Sequence, residues 1–274
     1  MSSIKLNQES IDQFQKDGVT VLRGLFSEWV DVLREGIALN MAEPNPDART
    51  YKGDSQGGQF FVDYCSWERI PQYRDFIFNS AASEVASMLM QSNEVRLFHE
   101  HVLVKEARSG MATPWHHDMP YYCVDGPKTI SLWVPLDDVP KERTLEFVAG
   151  SHLWGKSFRP QLFNGKPLNE NDGLEDIPDI NGSREEFNIL GWDLKPGDAV
   201  AFDYRTLHGS AANNSPTSQR RAFSLRMVGD DIKFERKENI KTSPRFEGVS
   251  LKNGEPLIGD EFPVLYPRTD STKQ

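Results

Sequence analysis

The sequence is short of cysteine, of long apolar runs and of export signals. Two cysteines, Cys65 and Cys123, occur in 274 residues, which allows one disulfide at most and excludes a disulfide framework. No apolar run approaches the roughly 20 residues that cross a membrane as a helix. The opening residues, MSSIKLNQES, lack the apolar segment of a secretion signal. These absences predict a cytoplasmic protein that does not associate with a membrane.

Positive charge is scarce as well. Lysine and arginine number 31 against 41 aspartates and glutamates, and the formal net charge is −10. Proteins that bind nucleic acid cluster Lys and Arg against the phosphates, and an anionic membrane surface makes the same demand. The composition therefore excludes both as default partners. A small molecule is the expected ligand, and the sequence leaves open whether the chain forms a homo-oligomer.

The pattern of the chain changes near residue 95. Before it, the spacing of apolar residues predicts three helices, a short strand after the first, and a structured loop over residues 49–67. The predicted helices are NQESIDQFQKDG, EWVDVLREGIALNM and SEVASMLMQS, and the predicted strand is VTVLRGLF. We expect the first helix to end at Gly18 and Ser27 to cap the second.

From residue 95 onward, short apolar and β-branched runs alternate with Gly and Pro turns. The predicted strands are VRLFHEHVLVKEA, TISLWVPLDDV, LEFVAGSH, PGDAVAFDY and RRAFSLRMV. This pattern predicts a mainly β core with flanking helices, in a sandwich or barrel such as a jelly roll. We expect one domain over residues 1–274. Its expected parts are a helical segment (1–94), a core (95–230) with a polar, lid-like insert (160–190), and a polar C-terminal segment (231–274).

The segment PWHHDMPYY, residues 114–122, carries the clearest chemical signal. Side chains at positions i and i+2 of an extended segment point to the same face, so His116 and Asp118 converge while His117 faces away. His208, in the segment LHGSAANNS, supplies a third ligand. Two histidines and one carboxylate leave adjacent positions open on Fe(II). Those positions suit O2 and an organic cosubstrate that must bind beside each other.

An arginine follows the last of these ligands at a useful distance. Arg220 comes twelve residues after His208, at the start of the last strong strand. A guanidinium group there can bind a carboxylate in two places, such as the distal end of 2-oxoglutarate. Ser210 can add a hydrogen bond. Arg221 has the opposite strand parity and is expected to point away.

Three other histidines are weaker candidates. His99 and His101 share one face of a strand and are followed by Glu106, an order that resembles the first metal motif of cupins. Glu106 has the opposite strand parity, however, so we expect the two histidines to border the site without binding metal. We interpret His152, in the segment AGSH, as a structural residue of a turn.

Taken together, these segments resemble the phytanoyl-CoA dioxygenase family over residues 95–228. The segments that carry the resemblance are PWHHDMPYY, SLWVPLDDV, LEFVAGSHLWG, PGDAVAFD, LHGSAANNS and RRAF. It implies a cupin-like double-stranded β-helix with Fe(II) on His116, Asp118 and His208. It also implies 2-oxoglutarate and O2 as cosubstrates, with decarboxylation to succinate and CO2 coupled to hydroxylation of a small metabolite.

The resemblance also implies roles for residues around the iron. Arg220 matches the arginine that binds the distal carboxylate of 2-oxoglutarate, Trp133 and Ser210 match further contacts, and His101 borders the site. His117 replaces a glutamine that is usual between the two ligands. Related halogenases carry a small residue in place of Asp118, so its carboxylate favours hydroxylation.

The substrate is the least determined part. Candidates for the mouth of the site are Tyr121, Tyr122, Arg143, Trp154, Arg159 and the Gly-aromatic stretch 51–67. An acidic chain without a basic cluster speaks against a CoA thioester. Two other functions stay open, a zinc hydrolase or isomerase on the same ligands and a catalytically idle binding protein. Arg220 argues against the first and the intact ligand set against the second.

Overall fold

The computed structural model of the chain describes residues 6–52, 57–170, 172–238 and 240–268. The gaps remove parts of the predicted N-terminal segment, Gly-aromatic stretch, insert and C-terminal segment, and predictions for those positions lie outside the described residues. The α-helices are α1 Gln8–Asp17, α2 Val30–Ala42, α3 Pro71–Asn79 and α4 Ala82–Met90. None of the helices in the described ranges is long and apolar enough to cross a membrane.

The strands follow in chain order. They are β1 Val19–Leu22, β2 Arg49–Lys52, β3 Gln59–Tyr64, β4 Val95–Lys105, β5 Thr113–His116, β6 Val124–Asp125, β7 Thr129–Pro135, β8 Leu145–Val148, β9 Ile189–Leu190, β10 Ala199–Phe202, β11 His208–Ser210, β12 Arg220–Gly229, β13 Lys233–Phe234 and β14 Val264–Tyr266. All five strands predicted after residue 95 are present, as β4, β7, β8, β10 and β12.

Two antiparallel sheets build the core. The larger has eight strands, in the order β1-β10-β7-β12-β4-β3-β2 with β14 also paired to β4, and the smaller has the order β5-β11-β8-β9. The strand order crosses repeatedly between distant parts of the chain, as in a jelly roll. The predicted fold class, a mainly β double-stranded β-helix with flanking helices, is confirmed.

Alternation along β12 gives the larger sheet two different faces. Phe223 and Leu225 are fully buried in the cluster formed with the helices, where the Phe223 ring lies 4.8 Å from that of Tyr73 and 5.4 Å from that of Phe76. Ala222 belongs instead to the cluster with Trp133 between the sheets. The helices therefore cover one face of the sheet, and the other face is left for an interior cavity.

The N-terminal part departs from the expectation in three places. Helix α3, Pro71–Asn79, is not among the predicted helices. Residues 49–67, expected as a loop, contain β2 and β3, and β3 pairs with β4 in the larger sheet. The run QFFVDY shows no alternation because the sheet is covered on both faces, so its strand character was hidden. The Ser27 hydroxyl donates to the Gly24 carbonyl (3.1 Å) and does not cap α2. The end of α1 at Gly18, with φ of 74°, is confirmed.

Phe223 should be the residue through which the helices stabilise the site-bearing strand. Phe223→Ala removes a fully buried ring between β12 and α3, and a loss of about 3–5 kcal/mol in the free energy of unfolding is expected. Urea denaturation followed by circular dichroism measures it. Leu39→Ala, at a side chain of α2 that is 48% exposed, is the control and should cost less than about 1 kcal/mol. Equal losses would contradict this packing.

Candidate active site

Strand register brings the two predicted histidine ligands side by side. β11 pairs with β5 so that His208 lies opposite His116, and their ring centroids are 4.2 Å apart. Asp118 follows two residues after β5, immediately before the short helical turn Met119–Tyr121. Its Oδ1 lies 3.7 Å from His116 Nε2 and 3.9 Å from His208 Nε2. The predicted convergence is correct, although Asp118 is not on an extended strand.

Each imidazole is fixed in the tautomer that a metal needs. Nδ1 of His116 donates to the Pro114 carbonyl (2.8 Å), and Nδ1 of His208 donates to the Thr206 carbonyl (2.9 Å). A carbonyl oxygen only accepts, so Nδ1 carries the proton and the Nε2 lone pair is free. Burial lowers the pKa of His116 and lowers that of His208 to about 3. Both rings are therefore neutral at physiological pH.

Asp118 is buried and held by two neighbours on one of its oxygens. Oδ2 lies 3.4 Å from Arg226 Nε and accepts a hydrogen bond of 3.2 Å from the Ser131 hydroxyl. Burial alone would raise the pKa of Asp118, but Arg226 and then the two histidines hold it well below its usual range. The carboxylate is ionised, and Oδ1 remains directed toward the histidines.

The ligand atoms of these three residues all lie within 4.8 Å of one another. Two neutral imidazoles and one ionised carboxylate form the two-histidine, one-carboxylate triad that holds Fe(II) with open positions. The residues present thus fit iron. His117 is turned away, since its Nε2 accepts a hydrogen bond of 2.9 Å from the Phe158 N–H, and this matches its predicted orientation.

A second polar group lies at the other end of the same interior. The Ser210 hydroxyl accepts from Lys105 Nζ (3.2 Å) and from Arg220 Nη2 (3.2 Å), and Nζ also lies 4.9 Å from the centroid of the Phe60 ring. The register explains the meeting, because Arg220 of β12 pairs with Lys105 of β4. Both oxygen lone pairs of Ser210 are engaged, so its own hydrogen is free for another acceptor.

Both cations of this group are buried without a counter-ion. Lys105 is 1% exposed and Arg220 7%, and among the described residues neither forms an ion pair with a carboxylate. Burial lowers the pKa of Arg220 to about 10, and burial together with Arg220 lowers the pKa of Lys105 well below its usual value. Unpaired buried cations are costly, and a bound carboxylate would relieve both.

One cavity of about 170 Å³ connects the triad with the Arg220 guanidinium. The four residues predicted to surround the cosubstrate, namely His101, Trp133, Ser210 and Arg220, all line it. Two of them belong to one row across the larger sheet, in which Tyr64, His101, Ser224 and Trp133 lie opposite one another. Arg221 faces outward and pairs with Asp137 at 2.6 Å, as its strand parity predicts.

The predicted mouth is only partly correct. Tyr121 and Tyr122 line the cavity, and so do Tyr51, Val62 and Tyr64 of the stretch 51–67.

Three other candidates do not line the cavity, although the backbone carbonyl of Arg143 accepts a hydrogen bond from the Arg220 guanidinium. Arg159 pairs with Asp172 at 3.2 Å, and the Trp154 ring packs at 6.4 Å from that of Phe158. The side chain of Arg143 donates to Asn213 (2.9 Å).

The remaining histidines and the cysteines have other surroundings. His99 and His101 line the cavity but are not part of the three-residue ligand group. His152 lies outside this cavity, where its Nε2 is 3.2 Å from the Gln15 carbonyl. Cys65 and Cys123 are both free.

Sequence reasoning did not assign Lys105, Arg226 or Ser131 to the site. Lys105 shares the strand parity of His99 and His101, and Arg226 shares that of Arg220. A charged residue on the cavity face of an apolar strand was therefore the sequence feature that could have identified them. The direct contacts, however, depend on the pairing of β4, β12 and β7.

A double-stranded β-helix that carries this triad defines the class of 2-oxoglutarate-dependent nonhaem iron oxygenases. A family model described as phytanoyl-CoA dioxygenase matches residues 14–222. The chain therefore belongs to the phytanoyl-CoA dioxygenase family.

Known relatives are distant. A phytanoyl-CoA dioxygenase of Arabidopsis thaliana is 28% identical over 171 residues, which are 62% of this chain and 57% of that protein. An ectoine dioxygenase of Sphingopyxis alaskensis is 25% identical over 221 residues, which are 77% of this chain and 72% of that protein. The match thus spans less than two thirds of the Arabidopsis protein.

A solved structure shows the same fold. The epimerase SnoN, in complex with Fe3+, alpha ketoglutarate and nogalamycin RO, superposes with a TM-score of 0.72 at 22% identity. The superposition covers 94% of this chain and 98% of that one. This neighbouring structure thus contains iron and alpha ketoglutarate, the metal and cosubstrate that the triad fits.

Arg226 should set metal affinity through Asp118. Arg226→Met removes the cation that lowers the pKa of Asp118 and fixes Oδ2, and a 10–100-fold loss of Co(II) affinity is expected. Anaerobic titration followed by the visible Co(II) bands measures it. Arg221→Met is the control, because it breaks an ion pair on the outer face of the same strand. Equal losses in both variants would contradict a specific role for Arg226.

Proposed function

We propose that the protein is an Fe(II)- and 2-oxoglutarate-dependent dioxygenase that hydroxylates a small organic molecule, with succinate and CO2 as coproducts. The observation that carries the proposal is a pair of buried basic groups that no carboxylate of the described residues pairs with. Arg220 lines the cavity that also holds the metal ligands, and Lys105 meets it at the Ser210 hydroxyl. A dicarboxylic keto acid spans such an arrangement, with one end on the metal and the other on the cations.

Each residue then has a defined part. His116, Asp118 and His208 hold the iron, which supplies O2 activation coupled to decarboxylation of the keto acid. Arg220 and Lys105 bind the distal carboxylate, and the Ser210 hydroxyl donates to it.

The walls and the neighbours of Asp118 complete the site. Trp133 and His101 form the walls beside the cosubstrate, and the burial of Trp133 helps to exclude water from it. Arg226 and Ser131 keep Asp118 ionised and oriented.

The insert 160–190 is proposed to close over the bound molecules. Its Gln161 N–H donates to the Tyr121 hydroxyl (2.7 Å), and the Phe163 ring lies 4.9 Å from that of Phe60 and 5.5 Å from that of Tyr51. Asn169 exchanges two hydrogen bonds, of 2.9 and 3.2 Å, with the backbone of Lys241. These contacts join the insert to the hairpin β2–β3 and to the C-terminal segment around the mouth, where a lid must act.

The alternatives account for less. A zinc hydrolase on the same triad has no use for two buried cations without a counter-ion. An idle binding protein has no need of histidines held in the metal-binding tautomer. The superposed structure is an epimerase, so proteins of this fold catalyse more than one reaction. The carboxylate of Asp118 supports hydroxylation over halogenation. We further propose that the protein acts in the cytoplasm.

The cation pair should determine the affinity for 2-oxoglutarate. Arg220→Ala removes charge-assisted hydrogen bonds worth about 1.5–3 kcal/mol, so the Kd for 2-oxoglutarate should rise roughly 10–100-fold. Lys105→Met should act in the same direction. Isothermal titration of the anaerobic Fe(II) protein measures both.

Arg221→Ala is the matched control, one residue away on the outer face. It should leave the affinity unchanged, and its effect should be compared at equal metal loading. Absence of 2-oxoglutarate binding to the unaltered protein would contradict the proposed function and favour the hydrolase.

A further inference from the structure

The cavity has the opposite charge from the chain that contains it. Among the residues that the structure describes, Asp118 is the single acidic residue that lines it, in a protein of net charge −10. Its cationic lining residues are Arg49, Arg220, Arg226, Lys241 and Arg245. Four of them fall within residues 220–245 and Arg49 comes from the N-terminal part. The cavity therefore collects positive charge although the chain as a whole is negative. A cleft lined by one sign of charge attracts ligands of the other sign.

Two of the five cations already have partners in the proposed function. Arg226 lies beside Asp118, and Arg220 is assigned to the cosubstrate. The charges of Fe(II) and of 2-oxoglutarate are equal and opposite, so loading the site leaves the remaining charge of the cavity unchanged. Arg49, Lys241 and Arg245 are left over. All three are exposed and line the cavity, so they stand at its mouth, and we call them the mouth cations.

The mouth cations are poorly neutralised. Within the described part of the chain, Arg49 and Lys241 form no ion pair, and Arg245 forms one with Glu247 at 3.7 Å between side chains 67% and 81% exposed. Such an exposed pair contributes little. The three charges are therefore available to a ligand.

Their backbones are fixed in place. Arg49 is in β2, opposite Val62 of β3. Lys241 is bound at both its N–H and its carbonyl by Asn169, and the Arg245 carbonyl accepts from Arg236 (2.7 Å). Cations whose backbones are held need little reorganisation to bind an anion.

The space between the mouth and the metal is apolar and aromatic. Tyr51, Leu162 and Phe163 line the cavity near the mouth, and Tyr64 follows on the sheet opposite His101. A carbon framework fits against these walls, and an acidic group at its outer end then meets the mouth cations.

On the basis of the proposed function, we propose that the primary substrate is an organic acid whose carbon body fills this aromatic part of the cavity. Its acidic group, a carboxylate or a phosphate, binds Arg49, Lys241 and Arg245 at the mouth. Both groups match the planar donors of arginine. The acidity of the whole chain therefore does not exclude a phosphate-bearing substrate.

Two fluorescent probes with one aromatic body test this proposal. The anionic probe is 8-anilinonaphthalene-1-sulfonate, and its neutral counterpart is N-phenyl-1-naphthylamine. Both are titrated into the anaerobic protein saturated with Fe(II) and 2-oxoglutarate. The anionic probe should bind at least tenfold more tightly, and its affinity should fall as NaCl is raised because the mouth cations are exposed.

The triple variant Arg49→Gln, Lys241→Gln, Arg245→Gln should lose this preference. The control is Lys156→Gln, Arg184→Gln, Lys195→Gln, which changes the net charge equally at exposed surface ion pairs and should keep the preference. Equal binding of the two probes, binding of neither, or an equal loss in both triple variants would overturn the proposal.

Two competitors distinguish the sources of the anion. Displacement of the anionic probe by 3-phenylpropionate but not by benzyl phosphate assigns the mouth to a carboxylate, and the reverse assigns it to a phosphate. Displacement by neither would count against the proposal. The titration with 2-oxoglutarate distinguishes a failure of the proposed substrate class from a failure of the proposed function. If 2-oxoglutarate binds and the anionic probe is not preferred, only the substrate class is wrong, whereas no binding of 2-oxoglutarate removes the proposed function itself.

Discussion

The buried carboxylate of Asp118 is the group on which the rest of the site depends. A carboxylate taken out of water is stable only beside positive charge and hydrogen-bond donors. Here Arg226 and Ser131 meet one oxygen, and the other is left between two imidazoles. These contacts require β12, β7 and the turn after β5 to meet at one place. The fold and the metal site are therefore parts of the same arrangement.

The opposite imbalance occurs six residues away along β12, at Arg220 and its cross-strand neighbour Lys105 of β4. At Lys105 and Arg220 the burial is as deep, but both groups are basic and no carboxylate of the described residues pairs with them. Protein interiors rarely keep such a pair without a ligand. A metal at one end and a dianion that spans to the other would neutralise both imbalances together. The buried charges of the site therefore fit a metal ion and a dicarboxylate.

The sequence predicted the parts of the site that local spacing determines. His116 and Asp118 are two residues apart, and Arg220 begins a strand whose parity separates it from Arg221. It did not predict β2 and β3, whose apolar run has no alternation, or β5 and β11, which are four and three residues long. Lys105 and Arg226 act through cross-strand register, which one sequence does not determine. The candidates Trp154 and Arg159 failed because composition does not say which way an irregular segment folds.

The most direct test of the account is the visible spectrum of the anaerobic protein with Fe(II) and 2-oxoglutarate. A keto acid chelated to iron on this triad should give a weak metal-to-ligand charge-transfer band, and His116→Ala should abolish it. That result would establish the metal site and the cosubstrate in one experiment. A protein that binds Fe(II) and shows no such band on addition of 2-oxoglutarate would contradict the central claim, and the triad would then serve another metal or another reaction.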